Sequence, residues 1–182
     1  MNIFERMADF NFRIAAGNEK KRRIYSVVTA ILFVGLLLLF FLAGVLTDKW
    51  LNLPSINYFP WTFVLALILI AVGLIPTSWS LIQFMRNRGS PVPTDPPRKL
   101  ITTGLYSYCR NPMLLGAFLI LFGISILIGS LSATVFYIPL LIVLLYLQVV
   151  KVEEKDMELK FGREYLEYKS RVPRFIPRIN KQ

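Results

Sequence analysis

The sequence predicts an all-α integral membrane bundle of four transmembrane helices, with an amphipathic N-terminal helix and a cytoplasmic C-terminal helix. Three observations predict it. Of the 182 residues, 55% are hydrophobic, more apolar surface than a soluble domain of this length needs. Tracts free of Asp, Glu, Lys and Arg run through residues 24–47, 61–85 and 113–150. Crossing the roughly 30 Å hydrocarbon core takes about 20 such residues, so the third tract can cross twice, turning at Gly129-Ser130-Leu131-Ser132. The basic residues alternate between the tracts. Six precede the first (Arg6, Arg13, Lys20, Lys21, Arg22, Arg23), five lie from Arg86 to Arg110, and nine from Lys151 to Lys181. Lys49 alone occupies the first inter-helix loop. By the positive-inside rule both termini are cytoplasmic, and the compact build suggests a prokaryotic cytoplasmic membrane. This alternation accounts for the net charge of +10 and leaves nothing for nucleic acid.

Residues 1–23 form the first segment. Ile3, Met7, Phe10 and Ile14 recur at helical spacing between Glu5, Arg6, Asp9 and Arg13, which predicts an amphipathic helix on the inner leaflet. Its polar lead and the apolar core that follows are both too long for a cleavable signal. The Lys20–Arg23 cluster reads as attraction to anionic lipid, about 1 kcal/mol per charge near the surface.

Residues 24–85 hold the first two spans. Trp50, Tyr58 and Trp61 bracket the outer loop as an aromatic belt. Pro76 predicts a kink in the second span. The hydroxyls of Thr77, Ser78 and Ser80 then either line a cavity or bond carbonyls freed by the proline, and the second reading weighs more.

Residues 86–182 form the last unit: a connector, two spans and a C-terminal helix. Four prolines within 89–100 exclude a helix there, making a stiff cytoplasmic link. A helical pattern then runs from Lys151 to about Ser170, followed by the proline-punctuated stretch 171–178. The chain has one cysteine, Cys109, and no histidine. Ser-His-Asp chemistry, Cys-His nucleophiles and imidazole metal ligands are thereby excluded, and no metal site is expected. Cys109 has no imidazole base and reads as a plain interfacial thiol.

The last hairpin brings the chemistry together. Asn111 is a favoured N-cap and Pro112 a favoured first helical residue. From the turn, about nineteen residues lead back to Pro112 and about twenty-two lead forward to Glu153. At about 1.5 Å per residue the mismatch is only ~5 Å. Glu153 and Glu154 therefore return to the level of Arg110 and Asn111, just outside the hydrocarbon. A helix N-terminus, an arginine and two carboxylates suit a mixed-charge ligand. The plainer reading is equally open at this point: a cap, a snorkelling arginine and a solvated helix face.

The stretch from Gly104 through Tyr106, Arg110, Asn111 and Pro112 to Gly116 resembles the signature of the isoprenylcysteine carboxyl methyltransferase and phospholipid methyltransferase superfamily. Glu153-Glu154, Gly162, Tyr165, Tyr168 and the closing Arg171-Val172-Pro173 are similar to its second half, so the resemblance covers residues 90–178. It implies methyl transfer from S-adenosylmethionine at the cytoplasmic end of this hairpin. It also implies that Gly104, Tyr106, Arg110, Asn111, Pro112, Leu115 and Gly116 line the cofactor site. Glu153 and Glu154 would hold the cofactor's amino group or ribose, while Glu167 and Arg171 match positions facing the methyl acceptor. Spaced by four, these two share a helix face, where an ordinary surface ion pair is the alternative. The acceptor implied is a lipophilic small molecule or lipid with a carboxylate, amine or thiol. Asn111 stands where histidine is common, and Leu115 is read as the position that usually carries tyrosine. Both departures suggest an acceptor other than prenylcysteine.

Two other readings compete. An NADPH-dependent membrane reductase is one, because steroid-reductase-like proteins have a similar C-terminal membrane architecture. A non-enzymatic channel, transporter or scaffold is the other. Spans without ionisable residues speak against an ion pathway, though not against a scaffold.

Overall fold

In the computed structural model of the chain, the described residues are 3–92, 95 and 97–176, without the side chains of Ile3, Glu5, Ala8 and Tyr58. The expectations for Pro93, Pro96, Pro177 and Arg178, and for the side chains of Ile3, Glu5 and Tyr58, lie outside them. The regular structure among the described residues is helical, with no strand. Helix α1 spans Ile3–Ala15, α2 Glu19–Leu51, α3 Pro60–Arg86 and α4 Pro112–Ile128. Helix α5 runs Ala133–Phe161 and α6 Arg163–Arg171. Three of these, α2, α3 and α5, are long and apolar enough to cross a membrane. At 17 residues, α4 is about 25 Å long and falls short of the rest. The sequence expects four spans; three helices reach spanning length and α4 is shorter.

Large side chains on α2 and α3 point outward, with Leu32 and Ile75 each 68% exposed. In water such surface would collapse, whereas in lipid it is the solvated face. Without a hydrophobic drive between apolar helices, close backbone approach must supply the packing. Glycine does this between α3 and α4. A Cβ on Gly73 would lie 2.5 Å from the Gly116 carbonyl oxygen, and one on Gly123 2.8 Å from the Ala66 carbonyl oxygen. Thr77 donates its hydroxyl to the Gly73 carbonyl at 2.8 Å, one turn back and beside the Pro76 gap. That favours the backbone-bonding role for this hydroxyl.

At the end of the bundle where the last hairpin turns, Asp48 near the end of α2 reaches that turn. It accepts from the Ser130 hydroxyl at 2.5 Å and from the Ser132 backbone N–H at 2.9 Å. A carboxylate from one span therefore caps the start of another. Alongside it, Thr47 and Tyr137 share a hydroxyl contact at 2.9 Å.

Helix α1 packs on the other end of α5 through Asn11, which donates to Asp156 at 3.1 Å. The helix expected from Lys151 to about Ser170 is broken by Gly162, whose φ of 54° and ψ of −125° suit only glycine. Helix α6 can therefore fold back under the hairpin. Two π-helical segments interrupt α5, Ala133–Tyr137 and Val149–Glu153. The second lies where the two glutamates leave the bundle.

Candidate active site

The floor of the site is the junction of the turn Gly104–Ser107 with α4. Gly104 has φ 63°, and a Cβ there would sit 2.1 Å from the Trp79 ring, so only glycine lets this turn close on α3. Tyr106 follows, buried against Trp79 and Phe84 at centroid distances of 6.0 and 6.2 Å. Its carbonyl accepts the Tyr168 hydroxyl at 2.7 Å, docking α6 beneath the hairpin. Burial pushes the Tyr106 phenol up to about 12 and raises Tyr165 and Tyr168 as well, so all three stay protonated at neutral pH.

The spacing argument holds at its centre. Arg110 Nη1 lies 2.9 Å from Glu154 Oε1, with the two side chains 7% and 5% exposed. Charges this far from water persist only when paired and hydrogen-bonded. Arg110 satisfies its other donors on the Val172 carbonyl at 3.0 Å and the Tyr165 hydroxyl at 3.1 Å. Glu154 collects two further cations. Arg174 grips it bidentately at 2.5 and 3.1 Å, and Lys169 Nζ lies at 3.0 Å. Lys169 also donates to Glu158 at 2.8 Å, and this bond raises its pKa and secures its charge.

The tail after α6 crosses the start of α4. The Arg110 and Asn111 backbone N–H groups donate to the Pro173 and Arg174 carbonyls at 2.9 and 3.2 Å. Asn111 does occupy the N-cap position ahead of Pro112, but its side chain makes no capping bond. Its Nδ2 donates instead to the Arg174 carbonyl at 3.2 Å, because φ −128° and ψ 54° turn the amide toward the tail. Cys109 contacts the same carbonyl at 3.4 Å, and burial pushes its thiol up, leaving it neutral. Phe175 stacks between Phe118 and Tyr146 at 6.0 and 5.6 Å, and the Arg174 guanidinium lies 5.8 Å from the Tyr146 ring centre.

Other expected residues are separated from this cluster. Glu153 accepts from Gln148 Nε2 at 3.0 Å. The π segment brings residues five apart onto one face, which sets Glu153 over Gln148. Gly116 is buried against Gly73, Thr77 and Pro76 as a helix-packing residue, and Pro112 is buried at the first turn. In the signature that the chain resembles, the tyrosine stands two residues after the proline and two before the closing glycine, which is Leu114 rather than Leu115. Leu114 packs on the apolar core of Leu121, Ile138, Leu141 and Leu145, while Leu115 is half-buried. Glu167 and Arg171 stand 3.9 Å apart on the exposed face of α6, where Arg163 also meets Glu167 at 3.1 Å.

Sequence reasoning missed Arg174, Lys169 and Tyr146. Tyr165 was visible as a motif tyrosine without a role. Arg174 directly follows the closing Arg-Val-Pro, which was the available signal.

The cluster thus offers a carboxylate, two guanidiniums, an ammonium and several aromatic faces at one end of the bundle. The family profile described as phospholipid methyltransferase matches residues 61–164, more than half of the chain, from the start of α3 to the start of α6. The chain belongs to the phospholipid methyltransferase family. Arg110, Asn111, Glu153 and Glu154 all fall inside the matched region of this family member, whereas Arg174 lies beyond it. The chain is 32% identical over 80 residues to a protein-S-isoprenylcysteine O-methyltransferase of Schizosaccharomyces pombe, covering 44% of this chain and 34% of that protein. It is 27% identical over 128 residues to the Xenopus laevis protein of the same name, covering 69% and 44%. A methanethiol S-methyltransferase of Crocosphaera subtropica is 33% identical over 90 residues, covering 47% and 32%. The aligned regions thus span less than half the length of these relatives.

Proposed function

We propose that this chain is an integral membrane methyltransferase that moves a methyl group from S-adenosylmethionine to a lipophilic acceptor at the cytoplasmic face. In this reading α4 completes a set of four spans and both termini are cytoplasmic. The observation that carries it is the buried Arg110–Glu154 contact, formed between the start of α4 and the end of α5.

The donor set fits that cofactor. Glu154 accepts from cations, as an amino group requires; Arg110 and Arg174 suit a carboxylate; and the faces of Tyr146 and Phe175 suit a flat ring or a sulfonium. Both oxygens of Glu154 are held by Arg174 and Lys169, so an incoming ammonium takes the place of one of them. When bound, the cofactor supplies a methyl group already activated on sulfur. The protein's residues then have two tasks, alignment and exclusion of water, worth several kcal/mol by effective molarity. Arg110 and Glu154 fix orientation, and the 172–176 tail covers the junction. We assign Glu167 and Arg171 to the acceptor side. Arg171 holds a carboxylate acceptor, and Glu167 takes the proton that an amine or thiol must lose.

Incubating the protein with isotopically labelled S-adenosylmethionine and a lipid extract, then reading label in the lipids by mass spectrometry, tests the reading. Labelled product is expected. Saturable NADPH binding without any response to S-adenosylmethionine would instead favour a reductase. Glu154→Gln should weaken cofactor binding roughly tenfold or more, the loss of a charge-assisted bond of about 1.5–3 kcal/mol. Unchanged affinity in a calorimetric titration removes Glu154 from the site.

A further inference from the structure

A second charged recess lies apart from the Arg110–Glu154 cluster, where α3 passes into the connector. A cavity of about 310 Å³ is walled by Arg86, Asn87, Arg88, Arg98 and Lys99. Four cations face it and no carboxylate does. Among the described residues, none of these four makes an ion pair. All four are exposed, so water screens their mutual repulsion and leaves them open to an anion.

The backbone is held from several sides. The Arg98 N–H donates to the Asn87 carbonyl at 3.1 Å, closing the connector on itself, and Arg88 takes a left-handed φ of 54° to make the reversal. Lys160 Nζ donates to the Pro97 carbonyl at 2.7 Å and fastens the connector to α5. Arg22 on α2 pairs with Asp95 at 2.7 Å and fastens it to the first span. Beside the recess, a second cavity of about 190 Å³ shares Arg88 and is walled also by Arg22, Arg23, Glu19 and Asp95. With Asp95 committed to Arg22, the uncompensated charge sits on the Arg86–Lys99 side.

Depth identifies the ligand. Arg23 directly precedes the apolar tract of α2 and Arg86 directly follows that of α3. Both mark the edge of the hydrocarbon, the level of lipid phosphates. We propose that this recess is a binding site for the phosphate headgroup of an anionic lipid, which braces the connector leading to Tyr106. The ligand class is a phosphodiester with net negative charge. The site is separate from the proposed methyl-transfer site and does not depend on it.

The test is native mass spectrometry of the full chain in detergent, titrated with phosphatidylglycerol or with phosphatidylcholine. One phosphatidylglycerol per chain should be retained, and phosphatidylcholine should not. Arg88→Gln/Arg98→Gln should lower retention by about tenfold or more. Lys20→Gln/Lys21→Gln removes the same charge from the same leaflet outside the recess; because their attraction is to a charged bilayer surface, which detergent lacks, retention should change less than about twofold. Arg88→Lys/Arg98→Lys should restore most of the binding, which separates lost charge from lost fold. Equal losses in the two glutamine variants mean diffuse attraction and overturn the site. So do equal retention of phosphatidylcholine and complete displacement by millimolar inorganic phosphate, the latter marking a soluble-anion site.

Discussion

Glu154 is surrounded by three cations, and only Arg110 among them is as buried as the carboxylate itself. The Arg110–Glu154 pair therefore holds the two ends of the last hairpin together, and Arg174 and Lys169 add the tail and α6 to the same carboxylate. Arg174 is 27% exposed at its side chain, so its share is screened by solvent and its loss should be milder than that of Arg110. Gly104 is the other residue whose identity is dictated locally. With φ at 63° and the Trp79 ring in the way, Gly104→Ala combines backbone strain with a clash. We expect it to destabilise the protein by about 1–3 kcal/mol, measured as a lower melting temperature in detergent. An unchanged melting temperature would mean that the turn does not close on α3.

Among elements, the tightest contact is between α3 and α4, where no side chain intervenes at Gly73 and Gly116. Gly73→Val should force the pair apart and cost about 1–3 kcal/mol of stability. The same change at Gly35, which has open space around it, should cost nothing, since valine is a slightly better helix former than glycine. Comparable losses at both positions, read by thermal unfolding, would show that close packing is not what matters. The cap that Asp48 makes on α5 joins α2 to the hairpin. Asp48→Asn retains the shape but weakens the acceptor, and about 0.5–2 kcal/mol of stability should be lost. The proposed methyl transfer should survive that change at permissive temperature, because Asp48 lies at the other end of the bundle.

For the whole molecule, the buried tyrosines that dock α6 make stability depend on alkaline pH. A phenol held neutral in the folded state and titrating near 10 when unfolded contributes stability that is complete below pH 10. It is lost as pH rises, because the unfolded chain then releases the proton first. For Tyr106 the loss runs from about 10 to about 12. A melting temperature that falls above pH 10, with a smaller fall in Tyr106→Phe, is the expected result. Identical slopes for both proteins would place Tyr106 in contact with water.

The apolar tracts, the basic alternation and the ordered motif pieces determined the all-α membrane class, the family resemblance and the meeting of Arg110 with Glu154. Each depends on period, length or spacing along one chain, which a sequence records directly. What only the tertiary structure decided is how neighbours with equal claims diverge. A π segment sets Glu153 over Gln148 while Glu154 meets Arg110, a glycine at positive φ folds α6 back, and the tail brings Arg174 onto a carboxylate twenty residues away. Those outcomes depend on backbone register and long-range docking, where a shift of one residue turns a helical side chain through about 100°, and residue spacing alone cannot set that angle.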